Sequence, residues 1–125
     1  MNMHEVLIVG EDGFVRDMIA AAANRAGLSA VCVSSAAEAF EDCRSGRYER
    51  VLILGSATFA DGRVTVENLR PKGAVRPEIY VLSWKHSEQA VLSLLECGVN
   101  QYITFPVSLR RLCLKLAGNL RTGGL

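Results

Sequence analysis

At 125 residues and 13.6 kDa the chain offers one domain's worth of sequence, read as a single unit over 1–125. Half of it is hydrophobic and 22% is charged, which excludes a disordered chain and supplies enough apolar surface for a core. Fourteen Lys and Arg against thirteen Asp and Glu leave a net charge of +1, which excludes bulk attraction to nucleic acid or to an anionic membrane.

The elements follow in chain order. Glu5 to Val9 is a β-branched and aliphatic run ending at Gly10, the pattern of a strand buried on both faces. Phe14, Met18, Ile19 and Ala22 recur at helical spacing, and Gly27 stops that helix. Leu28 to Val33 is a second strand, and Ser34 or Ser35 caps a helix through Ala39, Phe40 and Cys43 to Gly46. Val51 to Leu54 is a third strand, broken by Gly55. Asp61-Gly62 marks a turn, and a weak helix spans Val64 to Leu69. Ile79 to Ser83 is a fourth strand. Ser87 caps a helix that carries Val91, Leu94 and Leu95 inward and ends near Gly98. Gln101 to Thr104 is a fifth strand. A last helix after Pro106 sets Leu109, Leu112, Cys113, Leu116 and Leu120 on one face.

Strands that alternate with helices, with no hairpin signal between them, require a parallel sheet with right-handed crossovers and helices on both faces, an α/β/α sandwich. In such sheets chemistry sits beyond the carboxyl ends of the strands. The positions that matter are therefore Gly10-Glu11-Asp12, Ser34, Gly55-Ser56, Ser83-Trp84 and Phe105-Pro106.

These strand ends resemble those of response-regulator receiver domains, the phosphoacceptor modules of two-component signalling, over most of the chain from Glu5 to Leu120. Gly10 to Arg16 lies where that family has an acidic cluster and a helix-starting Arg. Asp61-Gly62 matches the turn after its third strand. Val81-Leu82-Ser83 matches the fourth strand with its phosphoryl-contacting hydroxyl, and Gly98 to Pro106 matches the "G-A-x-x-Y-L-x-K-P" stretch. The resemblance implies a flavodoxin-like fold with strand order 2-1-3-4-5. It also implies a pocket built from a nucleophilic carboxylate, metal-holding carboxylates, a hydroxyl and a Lys.

The chain departs from that pocket. Counting back from Asp61-Gly62 places the nucleophile at Leu54, or at Gly55 with one deletion, and neither has a carboxylate. The first acidic position is Gly10, followed by Glu11 and Asp12. Ser83 keeps the hydroxyl, but the Lys has become Phe105. A phosphoryl dianion beside Leu54 and Phe105 would have nothing to pair its charge, at a cost of several kcal/mol. Trp84 follows Ser83 where the family has a small residue; its indole narrows the mouth of the pocket or covers apolar surface.

Glu11 and Asp12 are weak candidates for a metal, because two adjacent carboxylates without a third ligand make a poor cage for Mg²⁺. The alternative for them is a solvated loop at a helix N-terminus. Gly10-x-x-Gly13 is not a dinucleotide fingerprint, and its acidic centre repels phosphate. Ser56 and Thr58 read as turn formers, with an unusual phosphosite as their second reading. His4 and His86 have no Cys or Asp at ligand spacing and read as surface residues. Cys32, Cys43, Cys97 and Cys113 form no C-x-x-C pair and read as reduced thiols packed as small apolar groups. No apolar run reaches the roughly 20 residues that span a bilayer, and Met1 to Glu5 lacks the pattern of a secretory signal.

Tyr102 matches the family's switch aromatic. Together with Leu92, Leu114 and Arg110, and beside Trp84, it is expected to form the face of fourth helix, fifth strand and fifth helix that receivers use for dimers and partners. The expected protein is thus a cytoplasmic pseudo-receiver. It binds signalling proteins, pairs with itself through that face, and carries no enzyme activity, cofactor, nucleic acid or membrane contact. Two alternatives stand beside it: a receiver switched by a metal or an unusual modification, and a flavin-like small-ligand binder using the Leu54–Phe105 pocket.

Overall fold

A computed structural model of the chain describes residues 5–45, 47–55, 68–70, 77–83, 92, 95–104 and 107–118. Its elements are β1 (Glu5–Val9), α1 (Gly13–Arg25), β2 (Ser29–Val33), α2 (Ala36–Cys43), β3 (Arg50–Leu54), β4 (Glu78–Ser83), β5 (Gln101–Thr104) and α3 (Leu109–Leu116). The turn at Asp61-Gly62, His4, His86, Ser56, Thr58, Trp84 and Phe105 lie outside the described residues. Of the two helices expected at 64–69 and 87–98, only residues 68, 69, 92, 95 and 96 are described as helical. Among the described residues no helix is long and apolar enough to cross a membrane.

All strand pairs are parallel, in the order β2-β1-β3-β4-β5. Residues 50–54 of β3 are all buried, as a central strand covered on both faces must be. Alternation along the strands divides the core in two. Ile8, Leu52 and Leu82 meet Ile19 and Ala23 of α1 and Leu112 and Leu116 of α3 on one face. Leu7, Ile53 and Val81 meet Ala39 and Cys43 of α2 and Tyr48 on the other. Each fully buried Leu or Ile side chain contributes about 1.5–3 kcal/mol.

Helix starts follow their caps. Asp12 Oδ1 accepts from the Phe14 and Val15 amides, Ser35 Oγ from Glu38, and Ser108 Oγ from Arg111. Of the two serines considered for the second helix, Ser35 is the cap; the Glu38 carboxylate reaches back to the Ser34 amide and hydroxyl.

Two expected inward faces are corrected. Phe14 is 79% exposed and Met18 37%, although their spacing suggested a core stripe. The inward arc of α1 is Ile19, Ala20 and Ala23, and helical geometry sets Ala23 half a turn from Phe14. Small alanines let α1 lie close to the sheet, and that closeness outweighs the size of Phe14. Leu95, also expected inside, is 41% exposed, while Val99 just after it is buried.

Among the described residues, one charged side chain is buried where no motif marked it. Arg50 begins β3 at 5% exposure. Its Nε donates to Glu78 Oε1 at 3.1 Å and its Nη1 to Glu49 Oε2 at 3.4 Å, and the Tyr80 hydroxyl donates to the same Glu78 oxygen at 2.9 Å.

Burial pushes the Cys43 thiol up to about 11 and also raises Cys113, Tyr80 and Tyr48. Each is neutral when protonated, so folding disfavours its anion. The stability they supply is complete below the ordinary thiol value of 9.0 and is lost as pH rises through it toward the raised ones. Urea midpoints measured across the alkaline range are expected to hold to about pH 9 and then fall. A midpoint flat to about pH 11 would contradict this.

Candidate functional site at the carboxyl edge of the sheet

β1 and β3 end side by side. The register Val9↔Ile53 brings Gly10 next to Leu54. Gly10 is buried and bonded to β2 through its amide, which donates to the Val33 carbonyl at 3.1 Å. Leu54 is 6% exposed and belongs to the α1–α3 side of the core. A Cβ placed on Gly10 would lie 2.9 Å from Leu54 Cδ1 and 3.1 Å from its Cβ, so the leucine fills the space beside the glycine. Gly55 turns away at φ +84°, its amide donating to the Leu82 carbonyl at 2.7 Å.

The neighbouring strands complete the edge. Ser83 ends β4 buried, in register with Thr104 of β5. Tyr102 is in register with Val81 and packs half-buried against the α2-side cluster. Arg16 reaches back from α1, its Nη1 donating to the Gly10 carbonyl at 3.2 Å and its Nε to Asp17 at 3.1 Å. That bond fixes the loop backbone where sequence reading had only a family match for the Arg.

Topology and edge together define a receiver fold: five parallel strands in the order 2-1-3-4-5, with the switch point between β1 and β3. No protein-family model matches the sequence, and no curated protein matches it. Solved structures do match. A two-component response regulator from Clostridium difficile aligns with a TM-score of 0.81 at 19% identity, over 98% of this chain and 100% of its own. A CheY-like response-regulator receiver domain protein from Methanospirillum hungatei gives 0.80 at 20% identity, over 97% and 96%. The receiver domain of a sensor histidine kinase from Pseudomonas aeruginosa, with magnesium coordinated in its active-site cleft, gives 0.76 at 20% identity, over 94% and 99%. The fold of this chain is therefore the one found in two-component receivers.

A divalent ion of the kind held in that cleft does not fit the residues described here. The end of β3 offers an alkyl group, and the first loop position offers no side chain. The Asp12 carboxylate is committed through Oδ1 to two helix amides, at 3.0 and 3.2 Å. Glu11 is exposed beside it. Among the described residues no three His, Cys, Asp or Glu side chains are grouped to hold a metal. Asp12→Ala is therefore expected to cost about 1 kcal/mol of stability through the lost cap, and Asp12→Asn, itself a good cap, much less. Denaturant titration in a chelating buffer reads both, and equal losses would mean that the carboxylate charge matters beyond capping.

Of the residues expected to form a partner face, Leu92, Tyr102, Arg110 and Leu114 are among those described. Leu92 is 59% exposed, and Lys115 of α3 donates to Gln101 of β5 at 3.1 Å. Arg110 and Leu114 instead line a groove between α3 and α1. A helix advances about 100° per residue, so Arg110 and Leu114 lie on one side and Arg111 and Lys115 on the other. The side of α3 that carries Lys115 meets β5, and the side that carries Arg110 and Leu114 faces α1. Sequence reading missed the α1 half of the groove because alanines carry no signal of their own.

Proposed function

We propose that this chain is a receiver-type signalling module that acts by contact with other proteins and forms no aspartyl phosphate. The reading rests chiefly on the packing of Leu54 against Gly10, which puts hydrocarbon where the chemistry needs a nucleophilic carboxylate and a metal-holding one. The sequence adds Phe105 at the position where receivers have a Lys. A dianion in that setting would lack both the Lys and the carboxylate-held metal that offset its charge in a receiver, and much of its desolvation would go uncompensated.

The test is incubation with acetyl phosphate and Mg²⁺ followed by intact mass spectrometry, beside a competent receiver as positive control. The expected result is an unmodified chain. A phosphoryl adduct on any residue, Ser56 included, overturns the proposal.

A further inference from the structure

Between α1 and α3 runs a groove of about 460 Å³. Its walls come from Ala22 of α1 and Ala26 at that helix's C-cap and from Leu109 and Leu114 of α3, with Ala117 at one end. Alanines on facing helices leave room for side chains of a third element, and the volume suits two or three large aliphatic groups. Among the described residues, the charged ones lining it are Arg25 and Arg110, both cations. Helix α3, LRRLCLKL, contains no acid.

We propose that this groove takes an amphipathic helix of another protein, apolar along one side and acidic along its flanks. The inference rests on the reading of the chain as a protein-binding scaffold and names the surface and the chemistry of the partner. Charge decides between occupants. A second copy docked groove to groove about a two-fold axis would set Arg25 and Arg110 against their own equivalents, with no carboxylate among the described lining residues to offset them. A nucleic-acid backbone would meet two arginines but would lay phosphates over an alkyl floor. An acid-flanked helix satisfies both features: its apolar residues fill the floor and its carboxylates meet the two guanidiniums.

Photo-crosslinking of the full chain in its native cells tests this. Benzoylphenylalanine is introduced as Leu114→p-benzoylphenylalanine or Ala26→p-benzoylphenylalanine in the groove, and as Leu92→p-benzoylphenylalanine on the other exposed face. Circular dichroism of each purified variant checks folding, and the exposed Ala26 position carries the test if the Leu114 variant fails it. The expected result is a groove adduct with another protein. Its joined segment should place acids beside apolar residues at helical spacing, and its yield should fall at least tenfold in Arg25→Glu/Arg110→Glu. Adducts with a second copy or with nucleic acid, a joined segment without acids, or a yield indifferent to charge reversal would overturn the proposal. Adducts from position 92 alone would sink the groove and leave the scaffold reading standing. Silence at all three positions would sink both.

Discussion

Gly10→Ala is expected to lower the unfolding free energy by about 1–3 kcal/mol, the usual cost of overpacking a filled core. The new methyl would sit 2.9 Å from Leu54 Cδ1 and 3.1 Å from Leu54 Cβ. The Cδ1 atom can swing aside only into a buried environment, and the Cβ is fixed by the β3 backbone. Leu54→Ala alone is expected to cost about 2–5 kcal/mol, through lost burial and the cavity left behind. The two changes should not add. In the Leu54→Ala background the alanine at position 10 enters vacated space, and its cost should shrink by about 1 kcal/mol or more. Urea titrations of the four proteins in this cycle measure the coupling. Equal costs in both backgrounds would mean that the glycine is there for another reason.

The same packing governs any attempt to introduce phosphate chemistry at this edge. Leu54→Asp with Phe105→Lys supplies a nucleophile and a cation, and it shortens the side chain that crowds Gly10. It leaves the first loop without its leading carboxylate, so at most partial phosphorylation is expected. An acid added at position 10 with Leu54 still present would meet the clash described above.

Arg50→Ala is the second large effect, an expected loss of about 3 kcal/mol or more. The Arg50 side chain is 6% exposed against 31% for Glu78. Its guanidinium also lies under the end of α3, where a Cβ on Gly118, a residue at φ +82°, would come within 2.7 Å of Nη2. Removing the arginine strips Glu78 of the Arg50 charge and opens a void beneath that helix end. Replacing the ion pair with Arg50→Met/Glu78→Gln fills the volume and removes the buried charge, so most of the stability should return. Arg50→Lys should fall between them, because an ammonium cannot reproduce the fork that meets Glu78 and Glu49 from separate nitrogens. A loss below about 0.5 kcal/mol in Arg50→Ala would place this pair among ordinary solvated surface bridges.

Much of the framework was legible without coordinates. Runs such as Glu5–Val9 and Gln101–Thr104 are bounded by turn residues, and both strands formed at those limits. Leu54, singled out by counting back from Asp61-Gly62, lies at the end of β3 beside Gly10. These features are local or follow from alternation, and the chain states them directly.

Other features depend on how elements rotate against one another. Phe14 and Leu95 obey helical periodicity yet face outward, because the close approach of alanines chose a different arc. Arg50 is buried because strand pairing brings Glu78 beside it and the end of α3 covers it, contacts from distant parts of the chain. Arg110 and Leu114 turn toward α1 because Leu112 and Leu116 take the core side of the helix. What the sequence by itself determined is the order of strands and helices and the presence of Gly10 and Leu54 where β1 and β3 end. The tertiary structure alone decided which surfaces close and which stay open, because side-chain volume across an interface sets helix rotation and periodicity along one segment does not encode it.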